Sequence, residues 1–466
     1  MLLGTPGRLL GARATPDMLG GAPLTGIAAI LDAANAGEWV KLNTGAISAV
    51  SGIARTKAIF DGGATYGGAS GTGGSDTFAS DAEVANPTGS GGVGSISLSY
   101  QTGDWMKGVI DPETGITVVT PGGHTDSVDT GGVVLDPRGG AATAWALAWK
   151  PGTLIDNDGT NILPSGSRQI PGATSANTYI VCPDTDGNLR PGRGHSYSFN
   201  FFNKATQKAY FSGFWYNVTT QGRPGAAWVY DPDASGNPFT EHWFDSSTSI
   251  YTAPGGLTAA GFMANDNTQS PVSINHVTGR VFQCESSFYM REISDPFGSP
   301  SVGARLATVP SGFRTYADMV VFPDPAGSAK EAAFQIRSLG ASKSFWAAYD
   351  ITGTPSYVSG AFDTLPAGIT LTGAHDYYKW GLTYDQRAAR IVMHEGNGKL
   401  WALDASSNFV AGTTTFTELL APSAGDLTSG VYANRLEYLS GASAALGVSC
   451  FQTVKQGSAY AVKLAA

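Results

Sequence analysis

Six times along this chain an apolar, alternating run meets a short turn rich in Asp, Asn, Pro or Gly and is answered by a second apolar run. The units read WMKGVIDPETGITVVTPGG around Asp111, YSFNFFNKATQKAYFSG around Asn203 and PVSINHVTGRVFQCES around His276. They continue as ADMVVFPDPAGSAKEAAFQI around Asp324, KWGLTYDQRAARIVMHEG around Asp385 and RLEYLSGASAALGVSCF around Ser440. Each has the pattern of a two-stranded hairpin. A third apolar segment and a fourth, ending in an aromatic residue or Leu, follow most of them, as in AWVYDPDASGNPFTEHW and LWALDASSNFVAGTTTFTELL. The last unit reaches Ala466 with only a third strand, SAYAVKLAA, while an orphan segment, GEWVKLN (37–43), stands near the other end. Placing that segment beside the last sheet closes a ring and hides both edges. Four-stranded repeats spaced by roughly 50 to 90 residues therefore predict an all-β, six-bladed propeller of antiparallel blades, sealed by an N-terminal strand.

Composition agrees with strands joined by many turns. Gly supplies 62 of 466 residues, aromatics 11% and charged residues only 14%, which leaves little material for surface helices. An apolar share of 42% is enough for a large core. The expected division is an N-terminal arm, 1–36, and a propeller, 37–466. The arm offers a short helix around Pro23–Ala34 whose Leu24, Ile27, Ile30 and Leu31 form a sticky face for a partner. Residues 62–92 are Gly/Ser/Thr-rich and expected to be a flexible insertion.

A formal charge of -9 without a Lys/Arg cluster argues against nucleic acid as a partner. No apolar run approaches the ~18 residues of a membrane span, and neither membrane insertion nor a signal peptide is expected. Cys182, Cys284 and Cys450 are widely separated and odd in number, as suits buried thiols rather than a disulfide framework.

The blades resemble those of the kelch/galactose-oxidase-like propellers. The likeness rests on Gly122–Gly123, Gly213, Val229–Tyr230–Asp231, Tyr349–Asp350 and Leu403–Asp404, with Trp39 and Trp243 on outer strands. A narrower resemblance is to kelch-like propellers encoded by tailed bacteriophages and their hosts. It is carried by the Trp-bearing segment 37–42, TKAIFDGGA (56–64), GGHTD (122–126) and RGHSY (193–197). That resemblance implies a virion or tail-associated protein.

Three histidines share similar surroundings: His124 in GGHTD, His195 in RGHSY and His375 in GAHDY. With Asp126, Arg193, Arg314 and Asp376 they are the candidates for the rim of a central channel. Neutral imidazoles converging there have the chemistry of a transition-metal site, but satisfaction of strand ends and links between blades is the stronger reading, and no metal or cofactor is expected. Opposed carboxylates or an arginine triad would serve glycan hydrolysis. Trp215, Tyr216, Tyr377, Tyr378 and Trp380 have the shape to stack on sugars, although aromatics in propellers mostly pack blade against blade. Asp184–Asn188 lacks the spaced ligands of a calcium loop.

These features lead to the expectation of a non-enzymatic structural or adhesive propeller of a tailed-phage virion, in its tail, nozzle, baseplate or fibre. Its partners would be other virion proteins in a symmetric multi-copy assembly, and a host surface glycan. The alternatives are a polysaccharide-binding or glycan-degrading propeller and a host-encoded interaction propeller.

Overall fold

A computed structural model describes residues 24–50, 108–119, 132–149, 200–212, 225–244, 271–284, 289–294, 301–302, 306–308, 318–327, 329–338, 344–361, 381–394, 398–410, 414–420, 427, 435–455 and 457–466, together with short strands at 66–67, 75–76, 153–157, 168–170 and 178–182. It is an all-β ring of six antiparallel blades with two short α-helices among the described residues.

The inner, second, third and outer strands of the first blade are Val109–Ile110, Thr117–Val119, Gly132–Leu135 and Ala146–Trp149. The second blade has Phe201–Asn203, Lys208–Ser212, Gly225–Tyr230 and Phe239–Phe244. In the third blade, Val272–Ile274, Val281–Cys284 and Tyr289–Ser294 are followed by two short strands, Ser301–Val302 and Ala307–Thr308, that share the outer lane. The fourth comprises Met319–Pro323, Glu331–Ser338, Ser344–Tyr349 and Ser356–Ala361. The fifth comprises Gly381–Asp385, Arg390–His394, Leu400–Asp404 and Thr417–Leu420. The sixth takes Arg435–Tyr438, Cys450–Lys455 and Ser458–Lys463 from the C-terminal end and Val40–Lys41 from the N-terminal end. Inner strands touch in the order one to six, and the sixth touches the first, so the ring is closed.

Closure is made of backbone hydrogen bonds. Leu42 N donates to Ala459 O at 2.8 Å and Gly37 N to Lys463 O at 2.8 Å, with Val40 in register with Ala461. The Asn43 side chain takes the Ala459 N–H at 3.0 Å, and the same segment bridges to Thr143 of the first blade. The terminal strand thus joins the two blades on either side of the seam.

Faces of neighbouring blades supply the core. One cluster joins the fourth and fifth blades through Phe322, Phe334, Phe345, Met393 and Phe409. Another joins the first and second through Trp149, Phe211, Trp228 and Phe239. The helix α1 (Gly26–Ala33) belongs to a third cluster at the seam, where Ile27 and Leu31 are buried against the first and sixth blades. The sticky face expected for a partner is therefore covered by the chain's own ring. Ile30 is partly buried there and Leu24 stays exposed.

Three local features differ from the sequence reading. The turn around Ser440 is not a tight hairpin but a second helix, α2 (Ser440–Leu446). Cys182, in a stretch (IVCPDTDGN) whose Pro, Asp and Gly read as a loop, instead ends a strand, Thr178–Cys182, of an additional three-stranded sheet with Thr153–Asn157 and Arg168–Ile170. Within 62–92, Tyr66–Gly67 pairs with Ser75–Asp76 as a ribbon, and the rest of that segment lies outside the described residues. Cys284 and Cys450 are buried free thiols.

Candidate functional site

Five of the six hairpins between inner and second strands share one device. An Asx residue closes the inner strand and its side-chain oxygen accepts the N–H two residues on. Asp111 accepts from Glu113 at 3.0 Å, Asn203 from Ala205 at 2.9 Å, Asn275 from Val277 at 3.0 Å, Asp324 from Ala326 at 2.7 Å and Asp385 from Arg387 at 3.1 Å. In four of these the residue four positions after the Asx is left-handed: Gly115, Gln207, Gly279 and Ala389. All these turns lie at one end of the blades, hereafter the turn side, together with the turns between third and outer strands.

An inner strand exposes an unpaired edge to the axis. Here side chains of the preceding blade take up its N–H groups. Val321 N donates to Ser273 Oγ at 3.1 Å, Leu382 N to Asp318 Oδ2 at 3.0 Å and Tyr438 N to Thr383 Oγ1 at 3.1 Å. At the seam, Gln452 Nε2 donates to Gly115 O at 3.0 Å and also bonds Thr117 Oγ1. Blades three to six, and six to one, are thus stitched one to the next by polar side chains.

At the turn-side end of the axis this stitching becomes a clasp. Glu437, 3% exposed, stands on the inner strand of the sixth blade and meets His276, from the Asx hairpin of the opposite third blade, with Nε2 to Oε1 at 3.4 Å. Arg435 Nη2 lies 3.1 Å from Glu437 Oε2, and Thr383 Oγ1 of the fifth blade donates to Oε1 at 3.3 Å. Burial pushes the Glu437 carboxyl up, but the charges and hydrogen bonds of His276 and Arg435 outweigh it and hold the group below its ordinary value. The carboxylate is therefore ionised and fully engaged. Beside it remains a cavity of about 20 Å³ between the inner strands of blades three to six, about the size of one water molecule.

A second buried polar group sits between blades five and six. His394 accepts from Gly398 N at 3.2 Å through Nε2 and lies 3.2 Å from Thr453 Oγ1 through Nδ1. Burial, with the nearby Lys455 charge, lowers its pKa to about 3. Lys455 donates to Leu427 O at 3.3 Å, and burial lowers its pKa to about 8. The Trp39 ring of the closing segment lies tilted against His394, 5.5 Å between ring centres, and its indole N–H donates to Gly398 O at 2.8 Å. The neutral imidazole has both ring nitrogens engaged, which is a packing role.

His124, Asp126, Arg193, His195, Arg314, His375 and Asp376 lie outside the described residues, as do Trp215, Tyr216, Tyr377, Tyr378 and Trp380. Their positions in the chain still share a property. Along the chain each falls in a segment that separates a second from a third strand, 120–131 and 213–224, or that precedes an inner strand, 183–199, 309–317 and 362–380. Among the described residues, no group of three His, Cys, Asp or Glu side chains is placed to hold a metal ion.

No family model matches the chain, and no curated protein matches it. Among solved structures it is similar to a protein of unknown function from Dyadobacter fermentans DSM 18053, at 10% identity over 78% of this chain and 95% of that one, with a TM-score of 0.35.

Proposed function

We propose that this chain is a non-enzymatic structural ring of a tailed-phage particle, held with other virion proteins in a symmetric multi-copy assembly in the tail, nozzle, baseplate or fibre. The observation that carries the structural reading is that, among the described residues, the turn-side end of the axis is filled by side chains. A ligand site ordinarily takes ~300–1,000 Å³, whereas the axial cavity is about 20 Å³ and its carboxylate is already paired. The turn side suits an assembly joint: both helices lie there, as do Leu24, Val277 and Val410, the exposed large apolar side chains among the described residues. The assignment to a phage particle rests on the kelch-like resemblance of the sequence. Mass spectrometry of purified virions from a strain carrying this gene should find the polypeptide at a fixed stoichiometry to the tail proteins, and its absence would end the proposal.

A second reading, polysaccharide binding, is favoured by the sequence, in which aromatic and charged candidates recur in the segments between second and third strands and ahead of inner strands. It predicts glycan-array binding that is lost in His195→Ala or His375→Ala. A blank array together with no release of reducing sugar would remove it.

A further inference from the structure

On the turn side, at the seam between the first and sixth blades, a groove of about 450 Å³ runs between α1 and α2. Its floor is made of Ile27, Ala28, Gly441, Ala442 and Ala445, with Leu24 at one lip. Gly441 is what allows α2 to sit so low: its N–H points to Pro112 O at 3.3 Å, and a Cβ there would fall 2.3 Å from Glu113 O. Two charged residues border the groove, and they differ. Arg138 is already paired with Asp136 at 2.7 Å and Asp233 at 2.9 Å. Glu113 is exposed, and among the described residues its carboxylate receives only the Ser440 hydroxyl, at 3.1 Å on Oε2. The groove therefore fits a short apolar segment that brings a cation with it.

We infer that the occupant is this chain's own segment 8–13, RLLGAR, with Leu9 and Leu10 on the floor and an arginine, Arg8 or Arg13, against Glu113. The sequence before Leu24 holds these two arginines and one acid, Asp17, so its charge complements that rim. Reach is ample. Leu24 itself lines the groove, and the residues from Arg13 to Leu24 span up to about 35 Å when extended. A tether of this length gives an effective concentration of order millimolar, which favours the chain's own segment over the same segment of another copy. Docked there, the segment covers the apolar seam that α1 and α2 leave open, and any partner binding at this place must displace it.

The test uses the full chain with photoreactive p-benzoylphenylalanine in place of Ala445, an exposed position of α2. Irradiation and peptide mapping should join position 445 to residues 8–13, with the product running at the mass of one chain on a denaturing gel. A product at twice that mass would assign the segment to a second copy and overturn the inference, and so would the lack of any crosslink to residues 1–23. Leu9→Asp with Leu10→Asp, checked for an unchanged Tm, should cut the crosslink yield about tenfold. Glu113→Lys should do the same, about tenfold. Unchanged yields in both variants would also overturn it.

Discussion

Replacing Glu437 by Gln tests whether the axial clasp holds opposite blades together. Gln keeps the shape of the side chain and its contact with Thr383 but removes the charge shared by Arg435 and His276, at 3.1 and 3.4 Å. Arg435 is itself only 8% exposed, so its guanidinium would be left buried without a counter-charge. Breaking a buried pair from one side costs about 3–5 kcal/mol. Unfolding entropy runs at ~2.1 cal/mol/K per residue, or about 1 kcal/mol/K for a 466-residue chain melting as one unit. Calorimetry at pH 7 should therefore show Tm lower by about 3–5 °C in Glu437→Gln. The loss should also be non-additive with His276→Ala in a double-mutant cycle, because both remove the same contact. Acid supplies the sign check. The folded-state carboxyl is held below its ordinary value of 4.5, so its stabilisation is complete above that pH and disappears as pH falls through the lower folded value. The advantage of the native chain over Glu437→Gln should then shrink below pH 4.5. Equal melting at pH 7, or a gap that does not narrow in acid, would refute the clasp.

The ring seam should fail first when its hydrogen bonds are removed: Leu42→Pro deletes the donor to Ala459 O and a fully buried side chain, at about 3 kcal/mol or more. Hydrogen exchange should then accelerate selectively across Ser458–Lys463, and uniform acceleration through all six blades would contradict a local seam. Gly132→Ala should lower Tm by about 1–3 °C, because a Cβ there would stand 2.0 Å from the Trp149 ring, and an unshifted melt would show that the ring has room to move. His394, with its pKa lowered to about 3, should give the nitrogen shifts of a neutral imidazole by NMR at pH 5. Since its folded pKa lies below the ordinary 6.5, it withdraws stability as pH falls from that value toward 3. An imidazolium signal at pH 5 would contradict the buried, fully bonded ring.

Five of the six hairpins are legible because apolar alternation and an Asx turn act within a few residues of each other, and so can be read locally. The sixth is not: Leu439 stands where the other blades have Asp or Asn, so no side chain caps the turn. The Ala-rich SGASAAL instead continues as a helix, with Ser443 N bonded to Leu439 O at 2.9 Å. Helix propensity was the available signal, in Ala442, Ala444 and Ala445. Left-handed turn positions were visible at Gly115 and Gly279 but not at Gln207 and Ala389, where the backbone takes that conformation without the residue that favours it. The clasp was the hardest to foresee. His276 appeared only as the centre of a turn, and Glu437 as one charge in RLEY; their meeting depends on blade three facing blade six, which no local pattern encodes. A charged residue flanked by Leu436 and Tyr438 on an inner strand was nevertheless a signal that the axis held a partner for it.

The two sides of the ring differ in what their chemistry leaves free. On the turn side the Asx side chains are consumed in holding backbone N–H groups, and Asp324 Oδ2 reaches further to take the N–H of Asp350 at 2.6 Å. Asp350 adopts a left-handed φ of 51° and pairs with Lys330 at 2.7 Å. Substituting these carboxylates would disturb the turns before it altered any binding surface. What remains adaptable on that side is what has been added to it: α1, α2 and the groove between them. Strand ends on the other side bound longer segments that contain every channel-rim and stacking candidate read from the sequence. Exchanging a turn-side Asx residue should therefore register as a lower Tm, whereas exchanging His195 or His375 should leave Tm unchanged and register on the glycan array.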